Sequence, residues 1–413
     1  MKALIFGTGK IGSAVAWDLA RNADVESVGI VDVCEQALQQ AQERINSPKV
    51  HTHRLDVTDT RAAAALLRKY DVGVITLPTR KTSYKAVEAA IEAGISCVDI
   101  LEEYHRRPDT EEDEELERPD GMSHTEYGEW LHQRAVENGV TILDGLGFAP
   151  GLSNVTVGEG IRKLDEAETA VARVGGIPSK ETARRHPLDY VITWSFSHVL
   201  REYTIKTKII KNGVPTTVNA LDEHETFSFN DFGKDAKLEA FITPGMPSFV
   251  HTRANLMYFA EKTVRWPGHW RKIQALKECG LLSLELEDFF IPRLFLSKVL
   301  TPKLLPQDGD TDVCVMYNTI TGLKNGEPAS IEYFMWAEAD PENDLSAMAR
   351  VTGFTAAAGA VLLAKGKILP KGLVAPEDAF VGESYNILMQ ELEKRGLDIK
   401  ARFNGKEIPN VAD

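Results

Sequence analysis

The sequence predicts an α/β protein: a Rossmann-type, doubly wound parallel sheet with an inserted α+β substrate domain built on a mostly antiparallel sheet. Three observations carry this. Short β-rich runs alternate with helical stretches up to about Pro150, the signature of parallel strands wrapped by helices. A glycine-rich turn, GTGKIG, joins the first run to the first helical stretch. Beyond Pro150 the runs lengthen and alternate in polarity, and 413 residues exceed what one hydrophobic core usually fills. The expected division is 1–150 as the nucleotide-binding domain, completed by a returning segment 344–380, with 151–343 as the substrate and dimerisation domain and 381–413 as a C-terminal tail.

In chain order, strands are expected over 3–6, 27–31, 51–55, 72–77, 96–100 and 140–143. Between them, Ile11, Ala14, Val15 and Leu19 fall on one face at helical spacing, as do Tyr84, Val87 and Ile91. The acid-rich run 109–120, DTEEDEELERPD, reads as a solvated loop. Strands over 312–323 and 330–336 meet through Lys324-Asn325-Gly326-Glu327, whose Asn-Gly is a hairpin signal. Residues 353–365, rich in small side chains, read as a helix that approaches another backbone closely and returns to the first domain. A last helix is expected near 384–395. Trp266, Trp270 and Trp336 read as core or interface anchors.

Composition narrows the function. Hydrophobic residues at 43% and charged residues at 26% fit a globular protein with sizeable cores. A formal net charge of −14 argues against a broad surface for nucleic acid or anionic lipid, so a small-molecule substrate is the default. Cys34, Cys97, Cys279 and Cys314 are scattered without a metal-ligand spacing, which predicts no metal and a reducing, cytoplasmic setting. The opening apolar run is too short for a membrane span, and no later stretch reads as one. An exposed edge on a large antiparallel sheet would favour a homodimer or higher homo-oligomer.

Gly7, Gly9 and Gly12 stand in the GxGxxG spacing directly after a strand and at the opening of a helix. The first permits the tight turn, the second lets a pyrophosphate approach the backbone, and the third lets helix and strand pack closely. Thr8, Lys10 and Ile11 complete this loop, whose helix N-terminus offers N–H groups to phosphate. Asp32, at the end of the second strand, lies where a carboxylate binds the adenosine ribose, which predicts NAD rather than NADP. Asp56 and Val57 end the third strand beside the expected adenine position, where a loop-capping Asp is the competing reading. Leu77, Pro78 and Thr79 should approach the nicotinamide half.

By these features the chain resembles the saccharopine dehydrogenase-like superfamily and, within it, the lysine 6-dehydrogenases. The resemblance covers nearly the whole chain. It rests on GTGKIG, on GLGFAPGLSN over 145–154, on VGGIP over 174–178, and on KTVRWPGHWRKIQALKECGLL over 262–282, with LPKGLVAPEDAF over 369–380 as the usual ending. It implies a Rossmann domain interrupted by a substrate domain and an oxidoreductase acting on the CH–NH or CH–NH2 carbon of an amino acid, foremost the lysine side-chain amine. Saccharopine-forming or carboxynorspermidine-type chemistry is the alternative, with Arg184, Arg185, Arg201 and Arg253 available for further carboxylates, and a non-catalytic NAD-binding sensor is a third reading. Two departures stand out. Relatives tend to carry an acid where this chain has Gly145, with Asp144 one position earlier, and a glycine-rich turn where it reads VDILEEYHRRPD.

Oxidising an amine requires a base near the nitrogen and, for an amino acid, a cation for the carboxylate. His269, in RWPGHW, is the first candidate for acid/base work, with Asp99 and Asp144 as further catalytic candidates; a scaffold role is the competing reading for His269. Arg265 is the candidate for the substrate carboxylate. Glu102 and Glu103 follow the fifth strand and are candidates for a substrate ammonium, with a helix-capping or solvated role as the competing reading, while Thr243 and Ser248 lie in a turn, FITPGMPSFV, that suits a pocket lining or is purely structural.

Overall fold

The computed structural model describes residues 1–112, 114–287 and 289–412. Six strands, β1 (Lys2–Phe6), β2 (Ser27–Asp32), β3 (Val50–Arg54), β4 (Val72–Ile75), β5 (Cys97–Asp99) and β6 (Thr141–Asp144), form a parallel sheet. Strands β1 and β4 are apolar on both faces because helices cover both sides: Ala3, Leu4, Ile5 and Phe6 are fully buried. The expected third to fifth strands stop short of their predicted ends. Thr76, Leu77 and Ile100 have already left the sheet, and these departures build the cavity described below.

The second sheet is mixed. Its strands are β7 (Glu166–Pro178), β8 (Lys206–Lys211), β9 (Val214–Asn219), β10 (Glu225–Phe229), β11 (Ala236–Ile242), β12 (Tyr258–Arg265), β13 (Asp312–Lys324) and β14 (Glu327–Glu338). Long antiparallel ladders flank β13, and β7 pairs parallel with β12. The β13–β14 hairpin turns at Asn325 and Gly326, both at positive φ, as Asn-Gly turns require.

The chain then returns to the first sheet. The helix Ala347–Ala364 packs on the helix Lys10–Arg21, and its small residues set the approach: a Cβ at Gly353 would stand 3.0 Å from the Cβ of Ala14. This helix corrects one expectation, since its 18 residues, of mean hydropathy 1.5, are by composition long and apolar enough to span a membrane. It is instead an interior helix, 78% buried. Strand β15 (Gly372–Val374) joins the far edge of the parallel sheet beside β6, giving the order β15-β6-β5-β4-β1-β2-β3. The segment 381–412 is more than a tail. Its helix Glu383–Lys394 is followed by Arg395, whose Nε donates to Asp18 at 2.9 Å. Strands β16 (Lys400–Phe403) and β17 (Lys406–Ile408) extend the second sheet beyond β14 around an Asn404-Gly405 turn.

Candidate active site

A cavity of about 490 Å³ opens at the carboxyl ends of β1 and β4, where the strand order reverses, and its far wall is the second sheet. This switch point is where open α/β sheets bind ligands. Gly9, Lys10, Ile11 and Gly12 line one end, with Thr76, Leu77 and Pro78 beside them. The turn fits a dinucleotide. Gly7 sits at φ 100°, and a Cβ at Gly12 would stand 2.1 Å from the Gly7 carbonyl oxygen, so both glycines are fixed by the turn itself. A Cβ at Gly9 would meet nothing within 4 Å, which is open space where a diphosphate would lie. No side chain caps the helix Lys10–Arg21, so its first-turn N–H groups and positive dipole end face the cavity.

Asp32 ends β2 beside this turn. Its Oδ2 accepts the N–H of Thr8 at 3.1 Å and the Thr8 hydroxyl at 2.7 Å, and its Oδ1 accepts the N–H of Cys34 at 3.0 Å. Arg54, exposed, pairs in register with Asp32 at the end of β3, a neighbour that only the strand pairing reveals.

Across the cavity, alternation along β12 turns Glu261, Thr263 and Arg265 inward while Ala260 and Val264 enter the core. Arg265 is 3% exposed. Its Nε donates to the Tyr203 hydroxyl at 3.0 Å and its Nη1 to the Val264 carbonyl at 2.9 Å, while Nη2 has no partner among the described residues. A buried guanidinium with an unused amino group at a cavity wall suits a substrate carboxylate. Thr243 lines the same wall and donates to Glu261 Oε2 at 3.0 Å, and burial pushes the Glu261 carboxyl well up.

The helix Phe196–Glu202 supplies Arg201 and Glu202, which meet residues from the first domain. Arg201 Nη1 contacts Glu112 at 2.5 Å and its Nη2 donates to Glu102 at 3.1 Å. Glu102 and Glu202 both line the cavity beside Arg201. Burial pushes Glu202 up to about 7 although Arg201 pulls it down. Burial, and then the Glu202 charge, push Glu102 up against the same arginine. His198 also lines the cavity, but burial and then Arg201 lower it to about 4, so it is neutral at physiological pH.

The acidic run is a loop exposed at Thr110, Glu115 and 117–120 but anchored between them. Glu112 is clamped by Arg201, and Glu114 accepts the backbone N–H of Arg80 at 3.0 Å. The Arg80 guanidinium donates to the carbonyls of Glu114 and Asp109 and pairs with Glu103 at 2.6 Å. Leu116 is buried, and Asp113 lies outside the described residues. The run closes one side of the cavity.

Several sequence candidates sit elsewhere. His269 is 1% exposed, opens the helix His269–Glu278 behind the wall, and spends both ring nitrogens on the Tyr203 hydroxyl at 3.0 Å and the Leu188 carbonyl at 2.8 Å. It does not line the cavity, and burial, then Arg265, lower its pKa to about 3. Ser248 joins Asn154 and Glu377 in a buried knot, Asp56 turns back on Thr58, and Thr79 caps the helix Arg80–Ala93. None of these four residues lines the cavity.

Asp99 and Asp144, neighbours across β5 and β6, lie beneath the cavity floor and not on it. They grip His105. Its Nδ1 contacts Asp144 Oδ1 at 2.5 Å, its backbone N–H donates to Asp144 Oδ2 at 2.7 Å, and its Nε2 lies 2.9 Å from the Ser83 hydroxyl, which donates to Asp99. Gly145 follows at φ 77°, so the position where relatives tend toward an acid is a left-handed turn here and Asp144 points away to His105. Burial alone would lower the His105 pKa; Asp144, then Asp99, more than reverse this and raise it to about 9. Because the folded value exceeds the usual 6.5, the stabilisation is complete below about pH 6.5 and drains away as pH rises through about 9, on the order of 3 kcal/mol in all. Denaturant unfolding at pH 6 and pH 10 should show that loss in the wild type, and His105→Gln should flatten it; an unchanged slope in the variant would assign the loss to another group.

Two family models match consecutive parts of the chain: the saccharopine dehydrogenase NADP binding domain over residues 3–143 and the saccharopine dehydrogenase C-terminal domain over residues 147–397. A carboxyaminopropylagmatine dehydrogenase of Synechocystis sp. is 23% identical over 397 residues, 91% of this chain and 92% of that protein. The mitochondrial alpha-aminoadipic semialdehyde synthase of Bos taurus is 25% identical over 339 residues, 64% of this chain and 36% of that longer protein. Among solved structures, saccharopine dehydrogenase (L-Glu forming) from Saccharomyces cerevisiae has the same fold, with a TM-score of 0.75 at 18% identity over 97% of this chain and 99% of that one.

Proposed function

Since the chain belongs to the saccharopine dehydrogenase family and is an oxidoreductase with a pyridine-nucleotide-binding domain, we propose that it makes or breaks the C–N bond of a secondary amine that carries a carboxylate. One observation carries this reading: a single cavity joins the glycine turn to Arg265 and to a wall of buried carboxyls. The nucleotide, when bound, supplies the hydride acceptor in oxidation and the donor in reduction. The chain's own residues do the rest. Arg265 seats a substrate carboxylate, Leu77 and Pro78 form an apolar flank against the ring, and the carboxyls of the far wall receive the amine. The matches to enzymes whose names describe saccharopine and a carboxyaminopropyl amine favour secondary-amine chemistry over deamination of the lysine side chain.

The test is a substrate panel of saccharopine, carboxyaminopropylagmatine and lysine, each with NAD and NADP, followed by absorbance of the reduced nucleotide. Turnover with a carboxylated secondary amine is expected. Turnover with lysine alone would replace this reading with oxidative deamination, and nucleotide binding without turnover on any amine would favour a sensor. For the nucleotide we propose NAD, because the Asp32 carboxylate beside the turn repels a 2′-phosphate. The family model is described as NADP binding, so the preference is measured directly. Asp32→Ser should tighten NADP at least about tenfold relative to NAD, Arg54 then taking the phosphate, and tighter binding of NADP by the wild type would reverse the assignment.

A further inference from the structure

We propose that Glu202 and Glu261 form a cation subsite, so that the substrate is a monocarboxylate carrying, beyond its secondary amine, a further basic group such as an ammonium or a guanidinium. This rests on the secondary-amine reading above. Both residues line the cavity and both are 5% exposed. Neither has a cation at ion-pair distance among the described residues: Arg201, the nearest in sequence, pairs with Glu102 and Glu112 instead. Carboxylates withdrawn from water are ordinarily paired, so two that face a cavity without a counter-ion mark a place for one. The Glu261 carboxyl is held for that purpose. Its Oε2 takes the Thr243 hydroxyl at 3.0 Å, and Gly245 leaves it room, since a Cβ there would stand 2.6 Å from the carboxyl carbon. Burial and then the Glu202 charge push Glu261 up, a repulsion that a cation set against both acids would relieve.

Further anions, by contrast, find no seat. Arg80 is held by Glu103, and Arg201 lies between two carboxylates. Arg184, Arg185 and Arg253, expected to be available for further carboxylates, do not line the cavity: Arg184 is exposed, Arg185 pairs with Asp310, and Arg253 pairs with Asp378 at 2.8 Å. Lys10 stands in the glycine turn, where the diphosphate would lie. Among the described residues this leaves Arg265 for one substrate carboxylate, and any other carboxylate would face Glu202 and Glu261. Glu261 and Arg265 stand four residues apart on one face of β12, about 13 Å along the strand, so anion and cation are received at separate places. His198, one helical turn before Glu202, is neutral and stacks on Trp194 with ring centroids 6.0 Å apart. Both rings line the cavity, where they add an aromatic face and no positive charge.

Wild-type protein, Glu261→Gln and Glu202→Gln are compared on two substrates: carboxyaminopropylagmatine, whose arm ends in a guanidinium, and saccharopine, which carries further carboxylates. The wild type should favour the first by at least about thirtyfold in kcat/KM, the lower bound for leaving a desolvated charge unpaired, and each variant should lose most of that preference through a raised KM for the cationic substrate. Agmatine, which presents the arm without the carboxylate, gives a reading that needs no turnover. Calorimetry should show it binding to nucleotide-loaded wild type and at least about tenfold more weakly to either variant, with nucleotide Kd reporting that the variants are folded. Equal or better turnover of saccharopine by the wild type, or agmatine binding unmoved in both variants, overturns the subsite and leaves the secondary-amine reading standing. Absence of turnover on both substrates overturns that reading and the subsite with it. Should one variant fold poorly, the other carries the same measurements.

Discussion

Gly9→Val should abolish nucleotide binding, weakening Kd at least about a hundredfold, while the melting temperature stays within a degree or two of wild type. The backbone at Gly9 has φ −64° and ψ −174°, a conformation any residue adopts, and a Cβ there meets no protein atom within 4 Å. The fold thus has no use for a glycine at this position. The added methyls would occupy the space in front of the uncapped helix, where each phosphate hydrogen bond to a backbone N–H is worth roughly 1.5–3 kcal/mol. Losing two of them is about a hundredfold or more. Gly12→Ala makes the contrast, since its Cβ would collide with the Gly7 carbonyl and destabilise the turn itself. Fluorescence titration of reduced nucleotide with parallel thermal melts checks both. A Gly9→Val protein that still binds within about threefold would mean that the phosphates sit elsewhere.

Arg265→Lys should raise KM for the carboxylated substrate by at least about thirtyfold and leave nucleotide Kd unchanged. Lysine keeps the charge but loses the planar fork that holds Tyr203, the Val264 carbonyl and an incoming carboxylate at once. Truncating one partner of a desolvated charge pair costs roughly 2–5 kcal/mol, and retaining a charge places the expected loss near the lower bound. Comparing the substrate with its carboxamide isolates the contact: the wild type should discriminate strongly between them and the variant hardly at all. Equal discrimination by both proteins would remove Arg265 from carboxylate recognition.

The parallel sheet and its phosphate turn were legible because each depends on local pattern: apolar runs, three glycines at fixed spacing, and an acid at the end of β2. The far wall was legible only in part: Arg265, Thr243 and Arg201 were candidates and line it, whereas Glu202 and Glu261 look ordinary in their own stretches of chain and reach the wall only because β12 lies parallel beside β7 and because the helix Phe196–Glu202 reaches over the first domain. Glu102, one of the acids expected after the fifth strand, does line the cavity. The acidic run misled for the same reason, since the arginines that clamp it lie far from it in sequence. His269 misled differently: its Pro-Gly turn is real, but the turn starts a helix whose first side chain faces the core. The hairpin 400–408 carried an Asn-Gly signal of the same kind that marked the β13–β14 turn, and it went unread.

Strand β15 sets the order in which the molecule can be finished. It pairs with β6 only after the entire second domain and the helix Ala347–Ala364 have been made. During translation, then, the nucleotide-binding half leaves the ribosome first with one border of its sheet bare, and that border stays open to stray pairing until Gly372–Val374 emerges. The sheet begun first therefore gains its border strand only after the long ladders of the second sheet have been synthesised.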